Sequence, residues 1–424
     1  MSGDGQVPAD QPAPEIRALG ADQYALLTDI DQWAFGFDTE DLDRGPFLAM
    51  VEWDRTFGAW LSEPERLAGV TTAMELDLPV PGGSVPCGGL ALVAVHPAER
   101  RRGVMSALME HHLRAVRERG EPVSGLHAAE QAIYGRFGYG LASRHFRLTL
   151  PRGAELRDVP GADAVRLRLE RADADAHADL VAACYNAARL NRPGMVSRLR
   201  EAHQRWPFVD QVWMRKDAET LRLLLAESDD GGPPRGYALF RRKGDWADDM
   251  PDGKVEVREL IVRDAAAARA LWGKLVDLDL TGSVSTDDRP MDDPLLHQLV
   301  DFRAGKPRLI DGIWLRLVDV AEALAARRYS TEVDVVLEVT DPLLAENAGR
   351  WQLKGGPDGA ACVRTDSEPD LAIDIRELGT AYLGSVTLDA LAAAGQLTEL
   401  RGGALAPASR AFSWPVAAYC GWGF

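Results

Sequence analysis

The chain has 424 residues, 46% of them hydrophobic, and a formal net charge of −17. That length exceeds what one hydrophobic core organises, so two or three domains are expected. The negative charge excludes an extended nucleic-acid partner, which demands a basic footprint; it suits either attraction of cationic amines or simple solubility.

Residues 1–14 are small and polar, without the basic-plus-apolar pattern of an export signal, and read as a disordered leader. No apolar run is long enough to span a bilayer. The cysteines, Cys87, Cys184, Cys362 and Cys420, show neither metal nor disulfide spacing, which fits a reducing cytoplasm and no metal. An aromatic and acidic stretch, Asp31, Trp33, Phe35, Phe37, Asp38, Glu40 and Asp41, predicts a substrate-facing helix and loop.

Residues 67–78 carry the apolar pattern of a strand, and 90–95 form a nearly continuous apolar run, as a central strand would. From Val104 the apolar side chains fall at Val104, Leu108, Met109, Ala115 and Val116, which predicts a helix over 103–119. A second strand over 123–128 completes a βαβ crossover, and 146–150 is expected to close the first sheet. A Pro/Gly-containing linker over 151–161 precedes a helix over 173–190 and strands over 221–226 and 236–241. The run 255–262 followed by 265–278 repeats the strand-then-helix plan. Beyond it, 312–318, 332–340, 361–364 and 370–375 read as strands, with helices over 320–326 and around Ala390.

The turn between the first crossover's strand and helix is Arg100-Arg101-Arg102-Gly103. A helix N-terminus offers unpaired N–H groups and partial positive charge to a phosphate. Glycine lets a pyrophosphate approach the backbone, and arginines add forked donors.

Arg100-Arg101-Arg102-Gly103-Val104-Met105 resembles the Arg/Gln-x-x-Gly-x-Gly/Ala loop of the Gcn5-related N-acetyltransferases, departing at Met105. Ile133-Tyr134-Gly135-Arg136-Phe137-Gly138-Tyr139-Gly140 is similar to a run in one branch, the enhanced intracellular survival (Eis) acetyltransferases. Leu126 to Ala128 and Tyr382-Leu383-Gly384 also match.

The resemblance implies an α+β chain: a leader (1–14), a catalytic acetyltransferase domain (15–153), a degenerate second one (154–306) and a sterol-carrier-protein-like domain (307–424). It implies acetyl-CoA as co-substrate, held by Val93, Ala94 and Val95 along the strand and by Arg101, Arg102, Gly103, Val104, Met105 and Ser106 at the pyrophosphate. Ala129 and Glu130 would lie by the thioester; Glu130 also suits a helix cap. By the same resemblance Tyr134 is the general acid and the carboxylate of the terminal Phe424 the general base, while Tyr139 packs. A free α-carboxyl has a pKa of about 3.3–3.7, and burial would raise it. Trp414, Tyr419, Trp422 and Phe424 give the tail an aromatic anchor.

The implied partners are polycationic amines such as aminoglycosides, or lysine side chains of peptides, and the implied assembly is a homohexamer. Gly423 departs from the family, a mycobacterial member of which has an acidic residue there. The contrasting reading is a regulatory protein that senses acyl-CoA or holds an apolar ligand without catalysis.

Overall fold

The computed structural model describes residues 13–37, 44–62, 64–229 and 231–424. Asp38, Glu40 and Asp41, like most of the leader, fall outside them. In chain order the strands are β1 (Glu15–Ala18), β2 (Thr56–Ser62), β3 (Glu65–Val80), β4 (Gly83–Val95), β5 (Val123–His127), β6 (Gly140–Leu141) and β7 (Arg144–Pro151). There follow β8 (Leu167–Arg171), β9 (Arg222–Ala226), β10 (Gly236–Lys243), the short hairpin of β11 (Trp246–Ala247) and β12 (Met250–Pro251), β13 (Gly253–Val262), β14 (Thr281–Pro290) and β15 (Arg308–Asp311). Last come β16 (Ile313–Leu317), β17 (Val333–Thr340), β18 (Gly349–Gly356), β19 (Gly359–Arg364), β20 (Leu371–Asp374) and β21 (Leu397–Glu399).

Two seven-stranded sheets are ordered β1-β2-β3-β4-β5-β16-β6 and β15-β7-β14-β13-β10-β9-β8, and a five-stranded sheet β19-β18-β17-β20-β21. In each of the first two a single pair is parallel, β4 with β5 and β13 with β14. Each pair is joined by a helix, Val104–Glu118 in the first sheet and Ala265–Val276 in the second. With helices and antiparallel meanders combined, the fold is α+β, as expected.

The sheets interleave across the expected boundaries at 153/154 and 306/307. The strand expected to close the first sheet lies within β7, which pairs with β14 and β15 in the second. The strand expected to open the third unit is β16, which fills the slot beside β5. The chain crosses between sheets twice, side by side: Gly312 N–H donates to Ser143 O (2.9 Å) and Ala142 N–H to Ile313 O (3.0 Å). Alternation marks a strand but not the sheet it joins.

The largest core is continuous across units. Leu76, Leu78, Val85 and Cys87 of the first sheet pack in one cluster with Ile313 and Leu315, with Tyr382 and Phe412 of the C-terminal unit, and with Ala418, Cys420 and Trp422 of the tail. Contiguous burial of this kind stabilises by roughly 25 cal/mol per Å² of apolar surface removed from water, and it fixes the C-terminus against the first sheet.

Candidate active site

β4 and β5 pair only from Cys87↔Val123 to Gly89↔Gly125. Beyond that both strands continue, β4 to Val95 and β5 to His127, and they part. The outer edge of β4 stays paired to β3, but with a bulge: Val70 faces Ala94 and Thr72 faces Ala91, so Leu92 and Val93 stand together opposite Thr71. Leu92 carries the strain at φ +44°. A bulge re-aims backbone groups, and this one turns the chain where the strands separate. The result is a wedge whose β4 wall holds Val93, Ala94 and Val95, the predicted donor-binding strand.

At the end of that wall His96 caps a single 3-10 turn, Pro97–Glu99. Arg101 and Gly103 then adopt left-handed backbone, at φ +64° and +76°, and the helix Val104–Glu118 begins. Ala107 N–H is the first to bond back, to Gly103 O at 2.9 Å. The N–H groups of Val104, Met105 and Ser106 therefore have no carbonyl a turn behind them, which makes an anion cradle. Arg100, Arg101 and Ser106 are exposed at its rim. Arg102 Nη1 donates to Glu99 Oε2 (2.7 Å), and Arg66 Nε to Glu99 Oε1 (2.7 Å). Arg66, and then Arg102, hold the Glu99 carboxyl below its usual range. Met105 is partly buried against the cluster that includes Leu90, Met109 and Leu113.

Tyr134 ends the short helix Gln131–Tyr134 after β5. Its buried ring packs with Leu90, Met109 and Tyr139, the ring centroids of the two tyrosines being 6.2 Å apart. Burial, and then Glu130, raise the Tyr134 hydroxyl above the usual tyrosine value, so it keeps its proton at neutral pH. Glu130 occupies the cap position of that helix, but its side chain makes no capping bond; it and Ala129 are exposed. Tyr139 is fully buried, its hydroxyl 2.8 Å from Ser124 Oγ, which lies 2.8 Å from His112 Nε2.

The tail does not fray. Ala417 O accepts from Arg192 Nη1 (2.7 Å), Ala418 N–H donates to Ser385 Oγ (2.7 Å) and Tyr419 N–H to Pro193 O (2.9 Å). Trp422 is only 3% exposed, seated between the His203 ring (5.1 Å) and the Phe424 ring (6.0 Å). Phe424 lies edge-on to His127, 5.1 Å between centroids, at the last residue of β5. It also covers Gly89, the last β4 residue paired with β5: a Cβ there would stand 3.0 Å from Phe424 Cε2. The terminal residue thus sits at the apex of the wedge.

Other groups close in around it. Burial, then the nearby His145, push the His127 imidazole down to about 4, so it faces Phe424 uncharged. Behind Trp422, His203 Nε2 lies 3.7 Å from Glu52 Oε1. Burial lowers His203 to about 4 and raises Glu52. Glu52 Oε1, both His203 nitrogens and Trp422 Nε1 are buried without a hydrogen-bond partner. On the other side, Trp33 leans on His96, 5.2 Å between centroids. Asp31, on the same helix (Tyr24–Phe35) as Trp33, is pushed up to about 6 by burial, while Phe35 and Phe37 are exposed. Among the described residues no His, Cys, Asp and Glu side chains gather as a metal site, and no helix is long and apolar enough to cross a membrane.

Family models of the acetyltransferase (GNAT) domain match residues 15–142 and 194–317, and one of the sterol carrier protein domain matches 320–421. An uncharacterized N-acetyltransferase of Streptomyces avermitilis is 41% identical over 97% of this chain and 99% of its own. The N-acetyltransferase Eis of Mycobacterium tuberculosis is 36% identical over 78% of this chain and 79% of its own. The chain belongs to the Eis family of N-acetyltransferases. The crystal structure of Eis1 from Mycobacterium abscessus superimposes with a TM-score of 0.82 at 31% identity, covering 97% of this chain and all of that one. This Eis-family chain is therefore an acetyltransferase with two GNAT domains and a C-terminal sterol-carrier-like domain, not a non-catalytic sensor. The GNAT domain implies acetyl-CoA as co-substrate and an amine as acceptor.

Sequence reasoning missed Glu52, His203 and Gly89. Glu52 and Gly89 stand in unremarkable local contexts, and His203 lies in a short helix far along the chain. Only the tail's path brings the three together.

Proposed function

We propose that this chain transfers acetyl from acetyl-CoA directly to a primary amine in a ternary complex. In this reading the amine attacks the thioester carbonyl carbon, whose oxygen is polarised by the backbone freed at the Leu92–Val93 bulge. The terminal carboxylate of Phe424 accepts the ammonium proton. As the carbon–sulfur bond breaks, the Tyr134 hydroxyl returns a proton to sulfur, so charge balances without a covalent enzyme intermediate. The Arg101–Ser106 turn holds the pyrophosphate, with Ala129 and Glu130 by the thioester.

The observation that carries this reading is the contact of Phe424 with Gly89, at the point where β4 and β5 part. The acceptors we favour are polycationic amines of the aminoglycoside type or peptide lysines. Asp31, Trp33 and Glu52 offer acidic and aromatic surroundings, and a chain of net charge −17 attracts cations. We place the protein in the cytoplasm from its scattered cysteines and, by family likeness, as a homohexamer; the boundaries near 153/154 and 306/307 divide the chain, with β7 and β16 exchanged between the first two sheets. The test is thiol release from acetyl-CoA across aminoglycosides and lysine peptides. Amine-dependent release names the acceptor class; release that no amine accelerates overturns it.

A further inference from the structure

The second sheet has a wedge of its own. β13 and β14 pair in parallel from Gly253↔Thr281 to Val257↔Thr286 and then part, while β13 runs on to Val262 and the helix Ala265–Val276 begins. At the opening lies a cavity of about 640 Å³, walled by Leu260–Val262, by Arg289 and Pro290, and by Val416 and Tyr419 of the tail. That volume lies in the range of small-molecule sites, about 300–1,000 Å³.

We infer that this second wedge binds a phosphoryl polyanion, of nucleotide size, distinct from the acetyl-CoA of the first. Its walls carry the guanidiniums of Arg192, Arg235, Arg263 and Arg289 against the carboxylates of Asp264 and Asp293. This reverses the sign of a chain whose net charge is −17. Three of the four are paired with carboxylates. Arg235 forks onto Asp264 (2.9 and 2.8 Å), and Arg289 is buried against Asp293 and Leu260 O. Arg192 divides its donation between Asp292 and Ala417 O, both at 2.7 Å. Arg263 is exposed, donates to Pro233 O at 3.0 Å, and has no carboxylate partner among the described residues. Arg263 therefore supplies the unmatched charge, and an arginine fork suits phosphate oxygens.

Coenzyme A itself is a poor fit. In the first wedge Gly103 leaves the helix start open, whereas Asp264 caps the second helix, accepting from Ala267 N–H at 2.9 Å. A pyrophosphate seated there would meet a carboxylate, so the anion belongs toward Arg263. On its inner side β13 beyond Val257 is unpaired to β14, which offers backbone donors and acceptors to the rest of the ligand.

The test is calorimetric titration of the full-length protein, saturated with coenzyme A, using pyrophosphate and ADP as probes at low salt. One molecule per chain is expected, with Kd below about 1 mM. Arg263→Glu should weaken it at least about tenfold while coenzyme A binding is unchanged. Tighter binding of ADP than of pyrophosphate supports a nucleotide ligand; equal binding supports recognition of the phosphoryl group alone. No heat with either probe overturns the inference, as does binding that coenzyme A abolishes or that Arg263→Glu leaves intact. None of these readouts depends on Phe424 acting as the base.

Discussion

Appending a single alanine after Phe424 separates the ring from the carboxylate. The ring keeps its contacts with His127, Trp422 and Gly89, so the loss of stability should stay below about 1 kcal/mol. The former carboxylate becomes a neutral amide carbonyl, and the new terminus stands about 3.8 Å further along the chain. A general base must lie within about 2.6–3.2 Å of the proton it takes, and its removal costs about 10²–10⁴-fold in rate. That is about 3–5 kcal/mol of barrier. The assay is steady-state thiol release at saturating acetyl-CoA and amine, with a thermal melt alongside. The expected result is a fall of that size in kcat with KM for acetyl-CoA and the melting temperature nearly unchanged. A kcat within about threefold of the unextended enzyme would refute the carboxylate as base, since an amide cannot take the proton.

Tyr134→Phe should lower kcat by about 10²-fold. Because burial and Glu130 raise the hydroxyl, the alkaline limb of the unmodified enzyme's kcat profile should lie above the usual tyrosine value, and the variant should lose that limb. Gly103→Ala forces a side chain onto a φ of +76°, at a cost of about 1–2 kcal/mol; KM for acetyl-CoA should rise severalfold with kcat retained. Asp31 is raised to about 6 in the folded protein, above its unfolded value of about 3.9. Between those values the folded state holds the extra proton, so stability falls as pH rises through that window. Asp31→Asn should therefore raise stability by about 1–3 kcal/mol at pH 7.5 and leave it unchanged below pH 4, read from thermal melts at the two pH values.

Much of the first wedge was legible because its parts are local. The apolar run ending at Val95, the Arg-Gly turn and the helical spacing from Val104 lie within a few dozen residues, and each expresses a short-range constraint. The run from Ile133 to Gly140 carried the family likeness. The second βαβ unit was equally visible. No Arg-Gly turn lies between its strand and helix, but that Asp264 there caps the helix start shows only in the structure. The sheets that β7 and β16 join are not written in their alternation, which says which face of a strand is buried and nothing about its neighbour.

By itself the sequence determined the family, the class of fold, the Arg-Gly turn ahead of a helix and the aromatic character of the tail. Each of these is written in residue identity and spacing. Tertiary structure alone decided where the tail goes: past Arg192, Ser385 and Pro193, beneath His203, onto Gly89. It also gathered Glu52 and His203 behind that terminus and opened the arginine-lined cavity of the second wedge. The physical reason is that most of these contacts join residues more than a hundred positions apart. Much of their free energy comes from burying one continuous core that joins the first sheet, the C-terminal sheet and the tail, and no local pattern records which distant surfaces that core will bring together.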